Sequence, residues 1–405
     1  MRAKSQVRLA KLVNHARDNV PYYKRQFDSM NDGEPERLNE LPILSKETLR
    51  TSFADLLARD RAHGVVTTGG IAVTKTSGST GEPVSHLKTG DESQFWRVVL
   101  WTRLFRDLRL PRFGNIYDLG LHWSGQPIIE PRLLPGAYLA WNFRAYSLDD
   151  PNLTDEFLAI LGVARPTVIY GAPSRICNLV RVCQEFNITI RPRVVLSSFE
   201  QLSDLDRNLI QKTFDARVVS VYGTAELGTC GWECASGRIH FEEDSVIPEV
   251  VTDEGKPTSA GDVGKLIVTS LKSWAMPLVR YETGDLALVP KRSCDCGQSS
   301  PSIMRIEGRH GVSIFTKTGR QFSSYQILSL VQSLGLPDYQ VVQTTAGSLE
   351  VRFPKQTNIS VAAFQRLERR IAEYLGEPMH VTICTGEFLL EESGKRNPVV
   401  QRIPR

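Results

Sequence analysis

Short apolar runs alternate with a helix-like segment between about residues 113 and 225, and this rhythm constrains the fold more than any other feature. Residues 167–171 and 194–197 are apolar runs of strand length. Residues 203–215 have helical periodicity and precede a further strand-like run at 217–221. A strand–helix–strand order predicts a parallel sheet with crossover helices.

The carboxyl ends of these predicted strands and the regions that follow complete the fold prediction. Glu200 and Glu226 lie just past strand ends, where ligands bind parallel sheets. Residues 238–290 are rich in strand-like runs, and the last hundred residues alternate helices and strands. We therefore predict an α/β protein with a large N-terminal domain at 1–307 and a small, mobile α+β C-terminal domain at 308–405. The large domain would combine parallel α/β sheets with a β-rich subdomain.

Charge, hydropathy and cysteine usage exclude several classes of protein. The net charge of +4 is too small to indicate nucleic-acid binding. The sequence lacks the long uncharged apolar run of a membrane span and an apolar signal core after Met1, so we predict a cytoplasmic protein. Seven cysteines, an odd number, favour reduced thiols over a disulfide framework. The oligomeric state stays open, a homodimer included.

A loop rich in glycine and hydroxyl side chains follows the strand-like run at residues 70–73. It reads Thr-Ser-Gly-Ser-Thr-Gly at residues 76–81. Successive backbone N–H groups in such a turn can bind an anion, and glycine lets the backbone approach it closely. The loop lacks the Gly-Lys-Ser/Thr ending of a P-loop, which disfavours that class. Taken alone, the loop is equally compatible with a flexible surface turn.

Two more motifs lie downstream, Tyr-Gly-Thr-Ala-Glu at 222–226 and Arg-Tyr-Glu-Thr-Gly-Asp at 280–285. Glu226 could simply cap a turn, and Asp285 could be an ordinary turn residue. Each of these interpretations is plausible for one motif by itself. All three motifs in this order are much harder to explain as unrelated turns.

With these motifs, the chain resembles the adenylate-forming superfamily, and more closely the phenylacetate–CoA ligase branch with its capsule-biosynthesis relatives. The resemblance covers nearly the whole chain. The segments that carry it lie at residues 19–23, 41–46, 76–83, 197–200, 222–226, 280–285, 306–309 and 393–395. It implies that ATP activates a carboxylic acid as acyl-AMP, with release of pyrophosphate, before transfer to CoA. Transfer to an amine or a carrier-protein thiol is the alternative, and an inactive ATP-binding relative is the second.

The resemblance also implies roles for individual residues. The phosphate-binding loop would comprise Thr76, Ser77, Gly78, Ser79, Thr80 and Gly81. Thr224 would donate to the α-phosphate, and Glu226 would help to hold Mg²⁺, which prefers oxygen ligands. The nucleoside would contact Tyr222 and Gly223 at adenine, Asp285 at the ribose hydroxyls, Arg309 at ribose or phosphate, and Ser198, Phe199 and Glu200 around the base or acyl group.

Lys395 is the residue that the resemblance implies for catalysis of adenylation, together with Thr224 and Glu226. A cation between the carboxylate and the α-phosphate offsets the charge that develops during attack. It also holds two anions together that otherwise repel. A lysine this close to a terminus is ordinarily expected in a solvated tail. The preceding Ser393 and Gly394 favour the catalytic role.

The segment after Arg309 departs from the pattern of the relatives. They carry one or two Asp residues there, where the small domain rotates between two poses, whereas this chain has His310, Gly311 and Val312. Gly311 could absorb large backbone changes. The difference leaves the geometry of the second step, and therefore the acceptor, open.

Four side chains suit a structural zinc ion: Cys234, His240, Cys294 and Cys296. Three cysteines and one histidine form a closed tetrahedral set, although the Cys-x-Cys spacing is tighter than the usual Cys-x₂-Cys. Some relatives in this branch are similar in carrying zinc at matching positions. Cys230 is a spare candidate ligand, and unligated thiols beside a histidine are the alternative.

The acid should bind between the region at residues 113–200 and the loop of Tyr222. His122 and Trp123 stand where the resembling branch places side chains that contact the acyl group, and Tyr170 with Gly171 is a second candidate wall. Aromatic lining suits a flat aryl or arylacetic acid. The same aromatic residues could instead belong to the core.

Overall fold

The structure is a computed structural model that divides into two compact units, each described here by itself. Unit 1 comprises Met1–Phe113, Leu133–Tyr138 and Val219–Glu307, and unit 2 comprises Gly114–Arg132, Leu139–Val218 and Gly308–Arg405. The residues that the structure describes are 3–29, 38–60, 71–75, 84–95, 100–120, 131–134, 138–143, 158–159, 161, 165–202, 204–309, 313–324, 327, 339–355, 360–390 and 396–403.

The described helices and strands are numbered in chain order. The helices are α1 (Ala3–Asn19), α2 (Pro21–Asp28), α3 (Lys46–Thr51), α4 (Gly90–Gln94), α5 (Leu100–Asp107), α6 (Pro173–Glu185), α7 (Asp204–Phe214) and α8 (Val361–Leu375). The strands are β1 (Ile71–Lys75), β2 (Ser85–Thr89), β3 (Gly114–Gly120), β4 (Pro131–Leu134), β5 (Tyr138–Asn142), β6 (Val168–Gly171), β7 (Val194–Ser197), β8 (Arg217–Thr224), β9 (Gly228–Glu233), β10 (Ile239–Phe241), β11 (Val246–Val251), β12 (Val263–Ser270), β13 (Tyr281–Leu288), β14 (Ser302–Ile303), β15 (Ile306–Arg309), β16 (Ser313–Phe315), β17 (Gln321–Ser323), β18 (Gln340–Gln343), β19 (Ser348–Phe353), β20 (His380–Thr385) and β21 (Val399–Gln401).

Unit 1 is dominated by antiparallel pairing. Strand β12 lies between β11 and β13, and β9 pairs with both β8 and β10. Strands β1 and β2 form a separate ribbon on either side of residues 76–83. Helix α3 begins at Ser45, whose hydroxyl accepts the Thr48 N–H at 3.0 Å and satisfies one of the unpaired donors of the first turn.

Unit 2 contains the predicted parallel sheet. Strands β3, β6 and β7 pair in parallel, and helix α6 connects β6 to β7. Strands β6 and β7 are almost continuously apolar, which suits strands covered on both faces. Their core includes Tyr117, Ile169 and Val195 of the strands with Leu179 and Phe214 of α6 and α7.

The C-terminal part of unit 2 has a core of its own. Strands β20, β19, β18 and β21 follow one another in a four-stranded sheet, in which β18 and β19 are antiparallel and the outer pairs are parallel. Helix α8 buries Leu367, Ile371 and Leu375 against it. The spacing of four residues between these leucine and isoleucine side chains places them on one face of the helix.

The predicted α/β fold class is confirmed, including the β-rich region at 238–290. The strands predicted at 167–171, 194–197 and 217–221 are present as β6, β7 and β8. The helix predicted over 203–215 is present as α7. Among the described residues, no helix is long and apolar enough to cross a membrane. The domain boundary after residue 307 stays a prediction, although unit 2 also resumes at Gly308.

Candidate functional site

The hairpin between β8 and β9 presents Thr224 and Glu226 in unit 1. Tyr222 pairs with Gly231 and Gly223 with Thr229, so the register shifts between them and forms a β-bulge. Bulges re-aim side chains next to functional sites. A Cβ on Gly223 would lie 2.3 Å from the carbonyl oxygen of Gly228, so the close approach of the two strands requires glycine at this position.

Glu226 lies in the turn of this hairpin and yet is only 2% exposed. The Tyr281 hydroxyl donates to its Oε1 at 2.5 Å. The Lys88 ammonium donates to the neighbouring Ala225 carbonyl at 2.9 Å and contributes a favourable charge interaction with Glu226. Burial lowers the pKa of Lys88 to about 8, against the opposing effect of Glu226. These contacts replace the interactions with water that the Glu226 carboxylate loses on burial.

Asp285 and Tyr222 form a second buried pair in unit 1. The Tyr222 hydroxyl donates to Asp285 Oδ2 at 2.8 Å, and both side chains are less than a tenth exposed. Burial raises the pKa of Tyr222 well above its usual value, and the nearby Asp285 charge adds to the shift. The phenol therefore stays a donor, which fixes the orientation of the Asp285 carboxylate.

Thr224 closes the first turn after β8. Its hydroxyl oxygen accepts the Leu227 N–H at 3.1 Å. This bond stabilises the turn and sets the side-chain rotamer, while the hydroxyl hydrogen can still be donated elsewhere. Unit 1 therefore brings together five of the residues predicted for the ATP site: Tyr222, Gly223, Thr224, Glu226 and Asp285.

Unit 2 brings together the candidate acyl and base residues at the carboxyl ends of β6 and β7. The rings of Tyr170 and Phe199 lie 5.4 Å apart, and the Ser198 N–H donates to the Gly171 carbonyl at 3.0 Å. Phe199 has a φ of 72°, a left-handed conformation that is rare for a bulky residue and often marks a functional position.

Glu200 is engaged by two elements of unit 2. Its Oε1 accepts the Ser174 hydroxyl at 3.0 Å and the Arg396 backbone N–H at 2.7 Å. Its Oε2 accepts the Ser174 N–H at 3.2 Å. Burial raises the pKa of the Glu200 carboxyl, and the Arg396 charge opposes that shift.

Several predicted site residues lie outside the described part of the chain. These are Thr76, Ser77, Gly78, Ser79, Thr80, Gly81, His122, Trp123, Lys395 and the residues His310, Gly311 and Val312 after Arg309. The backbone of Arg309 ends β15, and its side chain is not described. The roles assigned to these residues stay predictions.

Sequence reasoning missed three residues that contact the candidate site. Tyr281 was inside the motif at 280–285, so its position there was the available signal. Lys88 lies on β2, just after the glycine-rich loop, and is 5% exposed. The alternation of buried and exposed positions along a strand could have indicated that Lys88 is buried. The sequence does not indicate which residue it would contact. Arg396 is adjacent to Lys395 and contacts residues far away in sequence, which no local pattern indicates.

The Cys/His cluster is present in unit 1. One ligand atom from each of Cys234, His240, Cys294 and Cys296 lies within 4.8 Å of all the others. The Cys234 and Cys294 sulfurs are 3.6 Å apart, and Cys296 Sγ is 3.4 Å from His240 Nε2. A tetrahedral zinc with Zn–S bonds of about 2.3 Å requires sulfur pairs roughly 3.8 Å apart. The spacing therefore fits the ion and is far too long for a disulfide.

Surrounding groups orient these ligands. His240 Nδ1 is 3.1 Å from the Ser300 carbonyl oxygen, which directs Nε2 toward the sulfurs. The Ser236 and Gln298 N–H groups donate to Cys234 and Cys296 sulfurs at 3.3 and 3.4 Å. Cys230 is not part of the cluster, since its thiol donates to the Gly228 carbonyl at 3.5 Å.

Comparison with curated proteins identifies relatives over nearly the full length of the chain. No protein-family model matches the sequence. A phenylacetate-coenzyme A ligase of Thermus thermophilus is 26% identical over 441 aligned positions, which cover 99% of this chain and 96% of that enzyme. Protein CapK of Staphylococcus aureus is 22% identical and covers 75% of this chain and 66% of its own length.

Solved structures agree with these relatives at the level of the fold. A 2-hydroxyisobutyryl-CoA ligase in the postadenylation state superposes with a TM-score of 0.72 at 18% identity, covering 98% of this chain and 88% of that enzyme. That enzyme was captured with an acyl-AMP adduct, and in an open conformation with both 2-HIB-AMP and CoA. The predicted similarity to CoA ligases is confirmed, and the chain has the fold of the solved 2-hydroxyisobutyryl-CoA ligase.

Proposed function

We propose that this protein uses ATP to convert a carboxylic acid into acyl-AMP and then transfers the acyl group to the thiol of CoA. The observation that carries the proposal is the pair of buried carboxylates, Glu226 and Asp285, each held by a tyrosine hydroxyl. Both carboxylates come from the motifs assigned to ATP. The full-length similarity to CoA ligases supports the same chemistry.

In the first step, a carboxylate oxygen of the acid attacks the α-phosphorus of ATP. The bond to the β-phosphate oxygen breaks, and pyrophosphate leaves with the electron pair. Thr224 donates its hydroxyl to an α-phosphate oxygen, and Lys395 supplies a cation between the two reacting anions. The loop at residues 76–81 offers N–H and hydroxyl donors to the departing phosphates.

Glu226 offers a carboxylate oxygen to Mg²⁺. The ion, when bound, neutralises charge on the phosphates as pyrophosphate departs. The Tyr281 hydroxyl holds Glu226 in one orientation, and Lys88 keeps a positive charge near the buried carboxylate. A pre-oriented carboxylate binds a cation without first losing rotamer freedom.

Asp285 accepts hydrogen bonds from the two ribose hydroxyls, for which a carboxylate has enough lone pairs. Tyr222 fixes the plane of this carboxylate through the 2.8 Å bond to Oδ2. Gly223 and the ring of Tyr222 form the neighbouring surface for adenine, and Arg309 reaches the ribose or phosphates.

The acid is proposed to be an aryl or arylacetic acid. The Tyr170 and Phe199 rings, 5.4 Å apart, provide flat apolar surface beside Gly171 and Ser198. His122 and Trp123 are the other proposed lining residues. A preference for alkyl acids over aryl acids in a competition series would contradict this assignment.

In the second step, the thiol sulfur attacks the acyl carbon, AMP leaves with the electron pair, and the thiol proton is released. CoA is the proposed acceptor because the phenylacetate-coenzyme A ligase and the 2-hydroxyisobutyryl-CoA ligase named above are CoA ligases. The altered segment after Arg309 keeps an amine or a carrier-protein thiol as the alternative. We assign this step to movement of a C-terminal domain at 308–405; a cytoplasmic location and a homodimer likewise remain predictions.

We also propose that Cys234, His240, Cys294 and Cys296 hold a structural zinc ion. The four ligands complete a tetrahedral set and leave no position for substrate. The ion would tie the loop before β14 to the β9–β10 hairpin, and it takes no part in either chemical step.

Acid-dependent ATP–pyrophosphate exchange tests the first step directly. Wild-type protein should exchange with one class among aryl, arylacetic and alkyl acids, and Lys395→Ala should lose at least about a hundredfold in rate because transition-state charge is no longer offset. Lys355→Ala is the control, since Lys355 is an exposed lysine of the same unit paired with Glu387 at 3.3 Å. ATP binding without exchange on the whole panel would instead support an inactive relative.

The acceptor is tested by following AMP release with and without CoA. CoA should be consumed in equal amount to AMP, with formation of a thioester that hydroxylamine cleaves. Acid-dependent AMP release with unchanged CoA would favour an amine or carrier-protein acceptor.

Removing one hydroxyl tests the role of Tyr281. Tyr281→Phe keeps the buried ring and leaves Glu226 without its donor, so the KM for MgATP should rise about tenfold, as expected for a hydrogen bond to a charged group. Tyr138→Phe is the matched control, because it removes a tyrosine hydroxyl that donates to the Pro111 carbonyl. This variant should leave ATP–pyrophosphate exchange unchanged. Equal KM values for MgATP in the two variants would show that the Tyr281 hydroxyl does not contribute to ATP binding.

Metal analysis tests the zinc proposal. Purified protein should contain about one zinc per chain, and Cys296→Ser should lose the metal and several degrees of Tm because a structural metal stabilises only the folded chain. Cys384→Ser, a half-buried cysteine outside the cluster, should keep both. Metal-free protein with an unchanged Tm on chelator treatment would contradict the assignment.

A further inference from the structure

A buried tyrosine of unit 1 binds the backbone that leads into β13. The hydroxyl of Tyr23, on α2, donates to the Pro277 carbonyl at 3.0 Å and accepts the Val279 N–H at 3.0 Å. Tyr23 is 4% exposed, and burial raises the pKa of its hydroxyl above the usual value, so the group keeps its proton and stays a donor. One hydroxyl therefore fixes the backbone on both sides of Leu278.

Arg280 follows in the same segment, and both its side chain and its backbone have buried partners. The guanidinium donates to the Asn39 and Leu41 carbonyls at 3.0 and 2.5 Å, and it pairs with the Glu249 carboxylate of β11 at 3.1 Å. The backbone N–H donates to the Thr269 hydroxyl of β12 at 2.9 Å. A planar guanidinium with five N–H donors can serve several acceptors at once. Arg280 therefore joins the turn at its two carbonyl partners to two strands of the β11–β12–β13 sheet.

The backbone conformation of Arg280 shows that these partners act on the chain direction. Its φ of 48° lies in the left-handed region, which is uncommon for residues other than glycine. A residue keeps such a conformation only where the surrounding structure determines it. The contacts of the guanidinium and of the backbone N–H supply that determination at the residue immediately before Tyr281. The course of the chain into β13 is therefore set at Arg280.

Leu44 holds the backbone on both sides of Tyr281. Its N–H donates to the Arg280 carbonyl at 3.0 Å, and its carbonyl accepts the Glu282 N–H at 2.9 Å. Leu44 and Tyr281 thus form a parallel bridge, and both side chains are buried. The Tyr281 hydroxyl donates to Glu226 Oε1 at 2.5 Å. Because the peptide units on either side of Tyr281 are planar and held, the position of this donor depends on the contacts of its neighbours.

We propose that Arg280 and Tyr23 are positioning residues for the binding of MgATP, because they hold the Tyr281 hydroxyl on Glu226. This inference rests on the proposed function, in which Glu226 offers a carboxylate oxygen to Mg²⁺. Both residues act through Tyr281 rather than by contact with the nucleotide. The N-terminal segments that meet the backbone before β13 thereby gain a role, since neither chemical step uses them directly.

The test is a double-mutant cycle that combines Arg280→Lys with Tyr281→Phe. Lysine keeps the charge but cannot reproduce the planar contacts of the guanidinium. In pyrophosphate exchange, Arg280→Lys should raise the KM for MgATP about three- to tenfold, up to the effect of a lost hydrogen bond to a charged group. The KM for the acid should stay within about twofold, because Glu226 is assigned to MgATP. In the Tyr281→Phe background, Arg280→Lys should change the KM for MgATP by less than about twofold, since the hydroxyl through which it acts is absent.

Two controls and a second variant accompany the cycle. Arg25→Lys is the matched control, because Arg25 pairs with Asp55 at 2.6 Å in the same unit, with both side chains about half exposed. Such a pair contributes little, so this variant should match the wild type. Tyr23→Phe keeps the buried ring and removes both backbone contacts, and it should raise the KM for MgATP as Arg280→Lys does. Tyr138→Phe, which removes another hydroxyl bound to a backbone carbonyl, should not.

A binding measurement tests the same cycle without turnover. Isothermal titration calorimetry of the four proteins with ATP, in Mg²⁺ and in excess EDTA, gives the Kd for the nucleotide with and without the ion. Arg280→Lys should weaken the binding of MgATP about three- to tenfold and that of ATP without Mg²⁺ by less than about twofold, because the affected carboxylate is the one assigned to the ion. In the Tyr281→Phe background, Arg280→Lys should leave the Kd for MgATP within about twofold.

The outcomes separate the positioning role from the proposed function. Wild-type protein that binds MgATP but exchanges with no acid counts against the proposed function, while calorimetry still decides the positioning role. Unchanged KM and Kd values for MgATP in Arg280→Lys would overturn the positioning role alone. Equal fold-changes for Arg280→Lys in both backgrounds, or a rise in the KM for the acid as large as that for MgATP, would assign Arg280 to general stability and overturn the positioning role as well.

Discussion

Two tyrosines and two carboxylates exchange hydrogen bonds between β8 and β13, and the candidate ATP site of unit 1 depends on this exchange. Tyr222 of β8 donates to Asp285 of β13, and Tyr281 of β13 donates to Glu226 just after β8. Each carboxylate is buried, and a buried carboxylate needs hydrogen-bond donors in place of the water that it has lost. Because each strand supplies one donor and one acceptor, neither motif can hold its carboxylate in place without the other.

Unit 2 also pairs buried acidic groups with hydrogen-bond donors from a distant segment. Glu200 and Asp206 are acidic groups at the carboxyl end of a parallel sheet, and both face Arg396, which lies 190 or more residues away in sequence. Holding both the backbone and the guanidinium of Arg396 requires partners that are themselves rigid. The ends of strand β7 and helix α7 provide them, since both elements are packed into the core of the unit.

Regular elements were largely predictable because their signals are local. Helix α8 has apolar residues three and four positions apart, and the strands of the parallel sheet are short apolar runs between polar turns. Partners of buried charges were not predictable in this way, because Lys88 and Arg396 are recognisable only once distant segments have come together. The Cys/His cluster was only partly predictable. The sequence indicated the four ligands, but the separations of 3.6 Å and 3.4 Å between their atoms depend on sheet pairing.

The sequence by itself determined the fold class, the order of the motifs and the similarity to phenylacetate–CoA ligases, because periodicity and motif spacing are properties of the chain. The tertiary structure alone decided which donor meets which carboxylate. Tyr281 on Glu226, Tyr222 on Asp285 and Arg396 between Glu200 and Asp206 all join segments separated by more than fifty residues. A charged group that is buried loses its hydrogen bonds to water and needs partners in the protein. Which partners it finds depends on the segments that tertiary packing brings next to it.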